Sequence, residues 1–459
     1  MHSVIHFFFN QRWFSGCYWR FLFIASAICS VLLIAPLFAK PQKSVEQSIE
    51  QANQELWENF IDKYGIIRDF VGETPTPEDC ALGRPNAIGW WSPIENGPFF
   101  TGLYLSAACE RAQRSGKKID REKARRLANG LLKCASVSDV AGFVTRGVGT
   151  DGKCHYPLGS VDQTIPWYLG LYSYIKSDIP TPQHRKLVMD KLHEVTASLN
   201  SLDWKLPCDG QFKGEFRGDL KSNNYLEVTT YLFVLRMMHE LFQEPVWLDQ
   251  YQTALFEHPR GSIEQPSGSA KTRLDICADG YLSDSIVFNN SNFDKRQLWI
   301  YVKNQATLAH LIVIENNEKI KKFYRTGLKK NAENALNVIG EYKKFDNNDA
   351  KTFGHANWRE GYSTWFLQKT QEDAEKLART GNKEKLGTRK DYERTFMTNP
   401  LAAAAIIALA GDTANSGIIE QVISHYDYSR LNISEFFFAE VAYYSLPTSS
   451  GYERKVKHR

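Results

Sequence analysis

The residues best suited to chemistry fall in three short runs. In YPLGSVDQTIPWYLGLYSYI, residues 156–175, Asp162 stands just ahead of an aromatic, nearly all-apolar stretch. His155 and Tyr156 precede it, and Gln163, Trp167 and Tyr168 follow. A carboxylate, an imidazole and a phenol can each move a proton, and an indole offers a face for stacking. Asp162, His155 and Tyr156 are therefore the candidate catalytic groups, with Gln163 and Trp167 as candidate substrate contacts. A plainer reading competes. Ser160 and Gln163 match the spacing of a capping box, which would make Asp162 the second helical residue, favourable to the helix dipole. Pro166 argues against it, because a proline six residues into a helix costs about 3 kcal/mol. The pattern thus predicts a helix starting near Thr164, with Asp162 in the loop before it. There it either does chemistry or braces the loop.

The second run is GWWSPIENGPFFTGLYL, residues 89–105. Trp90 and Trp91 are adjacent and cannot face one way if extended. Asn96-Gly97-Pro98 reads as a turn into a helix. Trp91 and Asn96 are candidate substrate contacts, and Glu95 is a candidate second acid. A turn with a hydrophobic anchor explains the same residues without function. The third run, FGHANWREGYSTWF, residues 353–366, holds His355, Arg359, Glu360 and Trp365 as candidate substrate contacts, Trp365 as a face for the sugar ring. If it is helical, Trp358, Tyr362 and Trp365 share a face. Arg359 is suited to a two-pronged grip on a carboxylate, which points to an acidic sugar such as a uronate. Glu360 is the other candidate second acid. The competing reading is an Arg–Glu pair on a buried aromatic helix. Between residues 208 and 228 lie Asp209, Glu215, Arg217, Asp219 and Glu227, most of which read as solvated loop residues. Glu227, on an apolar helix, needs a partner.

The elements that must position these residues are helical. Apolar stretches near 98–115, 164–177, 224–243, 297–315, 399–410 and 433–445 alternate with amphipathic ones near 43–64, 119–135, 182–200, 245–257, 318–341 and 416–425. A helix apolar all round must be covered on both sides, whereas an amphipathic one covers a neighbour and faces water. The alternation predicts an all-α fold of about six hairpins, with an inner ring of buried helices inside an outer ring. Gly-rich segments such as 139–161, with strand-like alternation over Phe143–Val148, fall between helices. They would form the cavity mouth. No Pro-, Ser- or Gly-rich linker divides residues 40–459, which read as one domain.

Residues 1–39 are a separate object. Basic residues precede the apolar run FLFIASAICSVLLIAPLF, which ends in Leu37-Phe38-Ala39. This pattern predicts a secretory signal peptide, or else an uncleaved N-terminal anchor. Either places the rest of the chain outside the cytoplasm: secreted, periplasmic, or anchored and facing outward. The chain has 459 residues and a net charge of +4, with basic residues scattered, so nucleic acid is not an expected partner. A membrane is expected only if the N-terminal segment stays uncleaved. Six cysteines follow residue 39, an even number that permits disulfides, although Cys109 and Cys134 fall in apolar helical patterns that suit buried thiols. No metal-ligand spacing, P-loop, dinucleotide fingerprint or G-x-S-x-G motif occurs, so neither metal nor cofactor is expected.

The hairpin alternation, with NGPFFTGLYL and YPLGSVDQTIPWYLGLY, resembles the six-hairpin glycosidase-like superfamily of (α/α)6 toroids. Its unsaturated glucuronyl and rhamnogalacturonyl hydrolases are the nearest in flavour. The resemblance implies a glycoside hydrolase acting on uronate-containing oligosaccharides. Asp162 is then the residue that protonates the C4–C5 double bond and activates water, and burial in an aromatic cavity would raise its pKa for that work. Two other readings fit the residues. One is a polysaccharide lyase or sugar epimerase using Tyr156, His155 or His355 as base. The other is a non-catalytic carbohydrate-binding protein.

Overall fold

A computed structural model describes residues 43–262, 270–281 and 297–447. The chain divides into two units, Met1–Ser44 and Val45–Arg459, and the second is described below. The expected leader over 1–39 lies outside the described residues. Among the described residues, no helix is long and apolar enough to cross a membrane.

The fold is all-α. Its main helices are α1 (Val45–Glu55), α2 (Gly97–Ser115), α3 (Lys118–Cys134), α4 (Val161–Lys176), α5 (Pro182–Ser201), α6 (Tyr225–Phe242), α7 (Pro245–Phe256), α8 (Val302–Ile314), α9 (Glu318–Ile339), α10 (Asn399–Leu409), α11 (Ser416–His425) and α12 (Phe438–Ser445). The even-numbered helices are the apolar ones. In α10 every residue from Asn399 to Ala408 is buried, and in α4 only Val161, Asp162, Ser173 and Lys176 are not. The odd-numbered helices bury one stripe. In α3 that stripe is Ala124, Leu127, Ala128 and Leu131, while Ile119, expected in it, is exposed. Each even helix packs on the next, α2 on α4, α4 on α6, α6 on α8, α8 on α10 and α10 on α12, and α12 packs back on α2. Each also packs on an amphipathic neighbour: α2 on α3, α4 on α5, α6 on α7, α8 on α9, α10 on α11 and α12 on α1.

The α2–α4 crossing is unusually close. A Cβ on Gly102 would lie 2.0 Å from the Pro166 carbonyl oxygen, and one on Gly170 would lie 2.6 Å from that of Gly102. Backbone therefore meets backbone, which only glycine permits.

Two expectations for irregular segments need correction. Phe143–Val148 forms no strand; it is a buried connector, tied in by Thr145 N–H to the Cys134 carbonyl (3.0 Å) and by Gly97 N–H to the Arg146 carbonyl (2.8 Å). Two short antiparallel strands instead join Lys205–Pro207 to Phe216–Asp219. The run 353–366 is not one helix. A short 3₁₀ segment, His355–Gly361, is interrupted at Asn357, and Tyr362 is extended, so Trp358, Tyr362 and Trp365 share no helical face.

Replacing Gly102 with valine should lower unfolding free energy by roughly 3 kcal/mol, the upper end for overpacking a closed interface. Chemical denaturation would measure this; an unchanged midpoint would show that α2 and α4 can separate freely.

Candidate functional site

The site is built on the N-terminal end of α4, and the chain enters that helix differently from the proline argument. The helix begins at Val161, not near Thr164. Asp162 is its second residue and Pro166 lies inside it. The Pro166 backbone is in the tight contact with Gly102, so the proline sits at the close crossing of α2 and α4. The capping box of the competing reading is also absent. Ser160 holds the N-cap position without capping, and its hydroxyl accepts from Arg146 Nη2 at 3.0 Å. Gln163 turns away: its Oε1 accepts from Phe99 N–H (3.1 Å) and its Nε2 donates to Asn96 Oδ1 (3.2 Å). Asn96 in turn donates to Asp69 from its backbone N–H (2.8 Å) and from Nδ2 (2.7 Å). All three side chains are buried, so Gln163 and Asn96 lock the starts of α2 and α4 together.

Asp162 is the reachable carboxylate, with its side chain 47% exposed. Its partner is Lys303, at the start of α8, whose side chain is 0% exposed. Lys303 Nζ donates to Asp162 Oδ1 and lies 5.4 Å from the Phe99 ring centre. Arg146 and Arg217 stand close by. Arg146 also donates to the Glu95 carbonyl (3.1 Å), and Arg217, carried on the short sheet, reaches the Gly159 carbonyl (3.3 Å). Crowding pushes the Asp162 pKa up, but Lys303, and then Arg146 and Arg217, outweigh it and hold the carboxyl below the usual aspartate range. The expectation of a raised pKa is therefore corrected: Asp162 is ionised at neutral pH. Arg146 is pulled down to about 10 by burial and by Arg217.

A second charge group adjoins the first. Glu95 accepts from Trp91 N–H (3.1 Å) and pairs with buried Lys390 (3.5 Å). Burial raises its pKa, but Lys390 and Arg394 bring it below the usual glutamate range. Asp69 moves oppositely: burial and the Glu95 charge push it up to about 8. The two carboxyls thus differ in protonation at neutral pH, as close like charges require. Arg394 pairs with Glu435 (2.7 Å) and lies 5.3 Å from the ring of half-buried Trp299, which packs edge-on against Phe99 at 5.2 Å. Trp91 takes a left-handed backbone (φ 74°), donates Nε1–H to the Ala378 carbonyl (2.8 Å) and sits 5.6 Å from His355. Strain of this kind is tolerated where surroundings over-determine it.

The other expected site residues are held elsewhere. Tyr156 is buried, donates to the Arg84 carbonyl (2.5 Å), and burial lifts its pKa well above normal, which unsuits it as a base. His155 spends both ring nitrogens, on the Lys153 carbonyl (2.7 Å) and on Asp209 (2.6 Å). Trp167 is fully buried and bonds the Leu131 carbonyl (2.8 Å), so it is core and not a platform. Arg359 grips Asp79 at 2.7 Å, pairs with Glu73 and lies 4.2 Å from the Trp358 ring, so its fork is occupied. Glu360 is exposed beside it. Trp365 stacks under Arg84 at 5.4 Å. His355 is buried among Phe70, Trp91 and Phe353, and burial with Lys390 and Arg394 nearby pushes its pKa down to about 2. It is therefore neutral, next to Trp91 and away from any proton-transfer range.

Lys303, Arg146, Arg217, Lys390, Arg394, Asp69 and Glu435 were not singled out for the site in the sequence, although Arg217 was noted among the loop charges. Lys303 was the findable one, a single charge in the apolar run QLWIYVKNQATL. Two cavities, of about 640 Å³ beside Arg185 and Phe242 and about 480 Å³ beside Arg236 and Glu315, contain none of these residues. Compared with protein-family models, curated proteins and solved structures, the chain matches none.

The ion pair makes an asymmetric prediction. Asp162→Ala strands a buried ammonium and should cost about 3 kcal/mol, the low end of the range because the aspartate side is open to water. Lys303→Met leaves a carboxylate that water can solvate, and should cost under about 1 kcal/mol. It should also return the Asp162 pKa upward, readable by carboxyl NMR titration. Because the folded-state pKa is depressed, the stabilisation is present above the unfolded aspartate pKa and is lost as pH falls through the folded one. Equal costs for the two variants would contradict the assignment.

Proposed function

We propose that the chain is an exported glycoside hydrolase acting on uronate-containing oligosaccharides, built as an α/α toroid with its chemistry at the N-terminal ends of the inner helices. Support for the toroid is the closed succession of contacts α2–α4–α6–α8–α10–α12–α2, each helix backed by an amphipathic neighbour. The observation that carries the activity is Asp162: an accessible, ionised carboxylate flanked by Lys303, Arg146 and Arg217. An ionised carboxylate suits the activation of water. The cations suit the carboxylate of a uronate, a part first assigned to Arg359. In the proposed mechanism Asp69, kept protonated at neutral pH by burial and by the charge of Glu95, is the proton reservoir, and Glu95 rests ionised. Asp69 is buried and Glu95 is partly open, so the proton passes from Asp69 to the Glu95 carboxylate and from there to the substrate, leaving the negative charge on Asp69. A bound uronate carboxylate draws on the same cations and so raises the Asp162 pKa in the complex. Trp299 and Trp91 supply partly open aromatic faces for the sugar ring.

One alternative gains from the low pKa of Asp162. With its carboxylate as base and the cations neutralising the uronate, proton abstraction next to the carboxyl group would make the protein a lyase. The two reactions separate by product: a lyase creates the conjugated C4–C5 double bond, whereas a hydrolase for unsaturated uronides consumes it.

The test is turnover of an unsaturated glucuronyl disaccharide, followed by loss of the ultraviolet absorbance of its double bond. Asp162→Asn keeps an oxygen for Lys303, stays folded, and should lose at least about a hundredfold in kcat. Arg217→Gln should raise KM, while Arg359→Gln should lower Tm with KM unchanged. A fully active Asp162→Asn protein would end this reading; a gain of absorbance from intact polysaccharide would replace it with the lyase.

A further inference from the structure

Cys80 and Cys154 meet where two loops of the site begin. Cys80 lies on the short helix Pro77–Ala81 and is 9% exposed, while Cys154 is half-buried. They pack in one small apolar cluster with Ile94 and Tyr156. Both are free thiols in this structure, and their interaction raises the Cys80 pKa while lowering that of Cys154. The surrounding backbone is already fastened. Thr150 N–H donates to the Pro75 carbonyl (2.9 Å), which Cys154 Sγ also approaches at 3.8 Å. Asp151 Oδ1 accepts from the N–H groups of Lys153 (2.9 Å) and Cys154 (2.8 Å), which sets the turn that aims Cys154 inward. By contrast, Cys109, Cys134 and Cys277 are buried within helices of the core.

We infer that Cys80 and Cys154 form an oxidisable pair that closes to a disulfide, joining the segment that leads to Trp91 and Glu95 with the segment that leads to Asp162. The pair has a division of labour. The neighbouring Cys154, with burial, keeps the Cys80 thiol protonated, while Cys80 lowers the pKa of Cys154, so Cys154 is the attacking sulfur. It is also the more open of the two.

The oxidant is a disulfide, either small-molecule or on a protein oxidoreductase. The Cys154 thiolate attacks one sulfur of that disulfide and expels the other as a thiolate, giving a mixed disulfide. Cys80 passes its proton to the expelled thiolate and attacks the Cys154 sulfur, releasing the second thiolate, which takes from water the proton that Cys154 gave up on ionising. Two protein thiols become one disulfide, and one external disulfide becomes two thiols. The bond would span from position 80 to position 154, a long loop whose closure restricts the unfolded chain. This inference does not depend on the proposed substrate.

The experiment treats the full chain with excess glutathione disulfide, blocks remaining thiols with iodoacetamide, and maps peptides without reduction. A Cys80–Cys154 cross-linked peptide is expected, absent in Cys154→Ser and after dithiothreitol. Oxidised protein should melt about 4 °C above reduced protein. Recovery of both cysteines as alkylated free thiols would overturn the inference, as would a cross-link from Cys154 to any other cysteine. If Cys80→Ser fails to fold, the wild-type map and Cys154→Ser still decide.

Discussion

A lysine ammonium with no solvent-exposed surface must find its counter-charge inside the fold, and Lys303 finds it in Asp162. Much of the site follows from that pairing. It joins the start of α8 to the start of α4, holds the carboxylate ionised at the open end of its helix, and places the ammonium over Phe99. The asymmetry matters: the lysine is fully enclosed, while almost half of the aspartate side chain faces water. The pair is therefore anchored on one side and open to water on the other.

Such an anchor works only if the helix starts are rigid. The α2–α4 crossing supplies this through Gly102, Pro166 and Gly170, where backbones touch. Just beyond the crossing, the chain of hydrogen bonds Gln163–Asn96–Asp69 ties both helix starts to a buried carboxyl. That carboxyl feels Glu95, which feels Lys390 and Arg394. Packing and electrostatics are thus one system. Side chains that could have capped the helices are diverted to hold charges in place.

The all-α class was legible in the sequence, and the surroundings of the candidate residues only in part. Alternation between all-round apolar and one-sided helices is written in residue periodicity, and the main helices lie close to the stretches it marks, with boundaries shifted at Val161 and after Glu55. Asp162, Trp91 and Asn96 were legible as residues of helix entrances. The start of α4 was misread because Pro166 is unfavourable in an isolated helix, and its contact with Gly102 is tertiary. Arg359 was misread because its partners, Asp79 and Glu73, lie far off in sequence. Arg146 and Arg217 look like loop charges until a buried connector and a short hairpin bring them to Asp162. Trp167 illustrates the converse, since an aromatic near a catalytic candidate was simply core.

The most direct test of the account is a crystal structure of Asp162→Asn soaked with an unsaturated glucuronyl disaccharide. The account predicts the uronate carboxylate within hydrogen-bond reach of Arg217 or Arg146, with the sugar ring against Trp299 or Trp91. A disaccharide seated at Arg359, or in the cavity beside Arg236, with the Asp162 mouth empty, would contradict it.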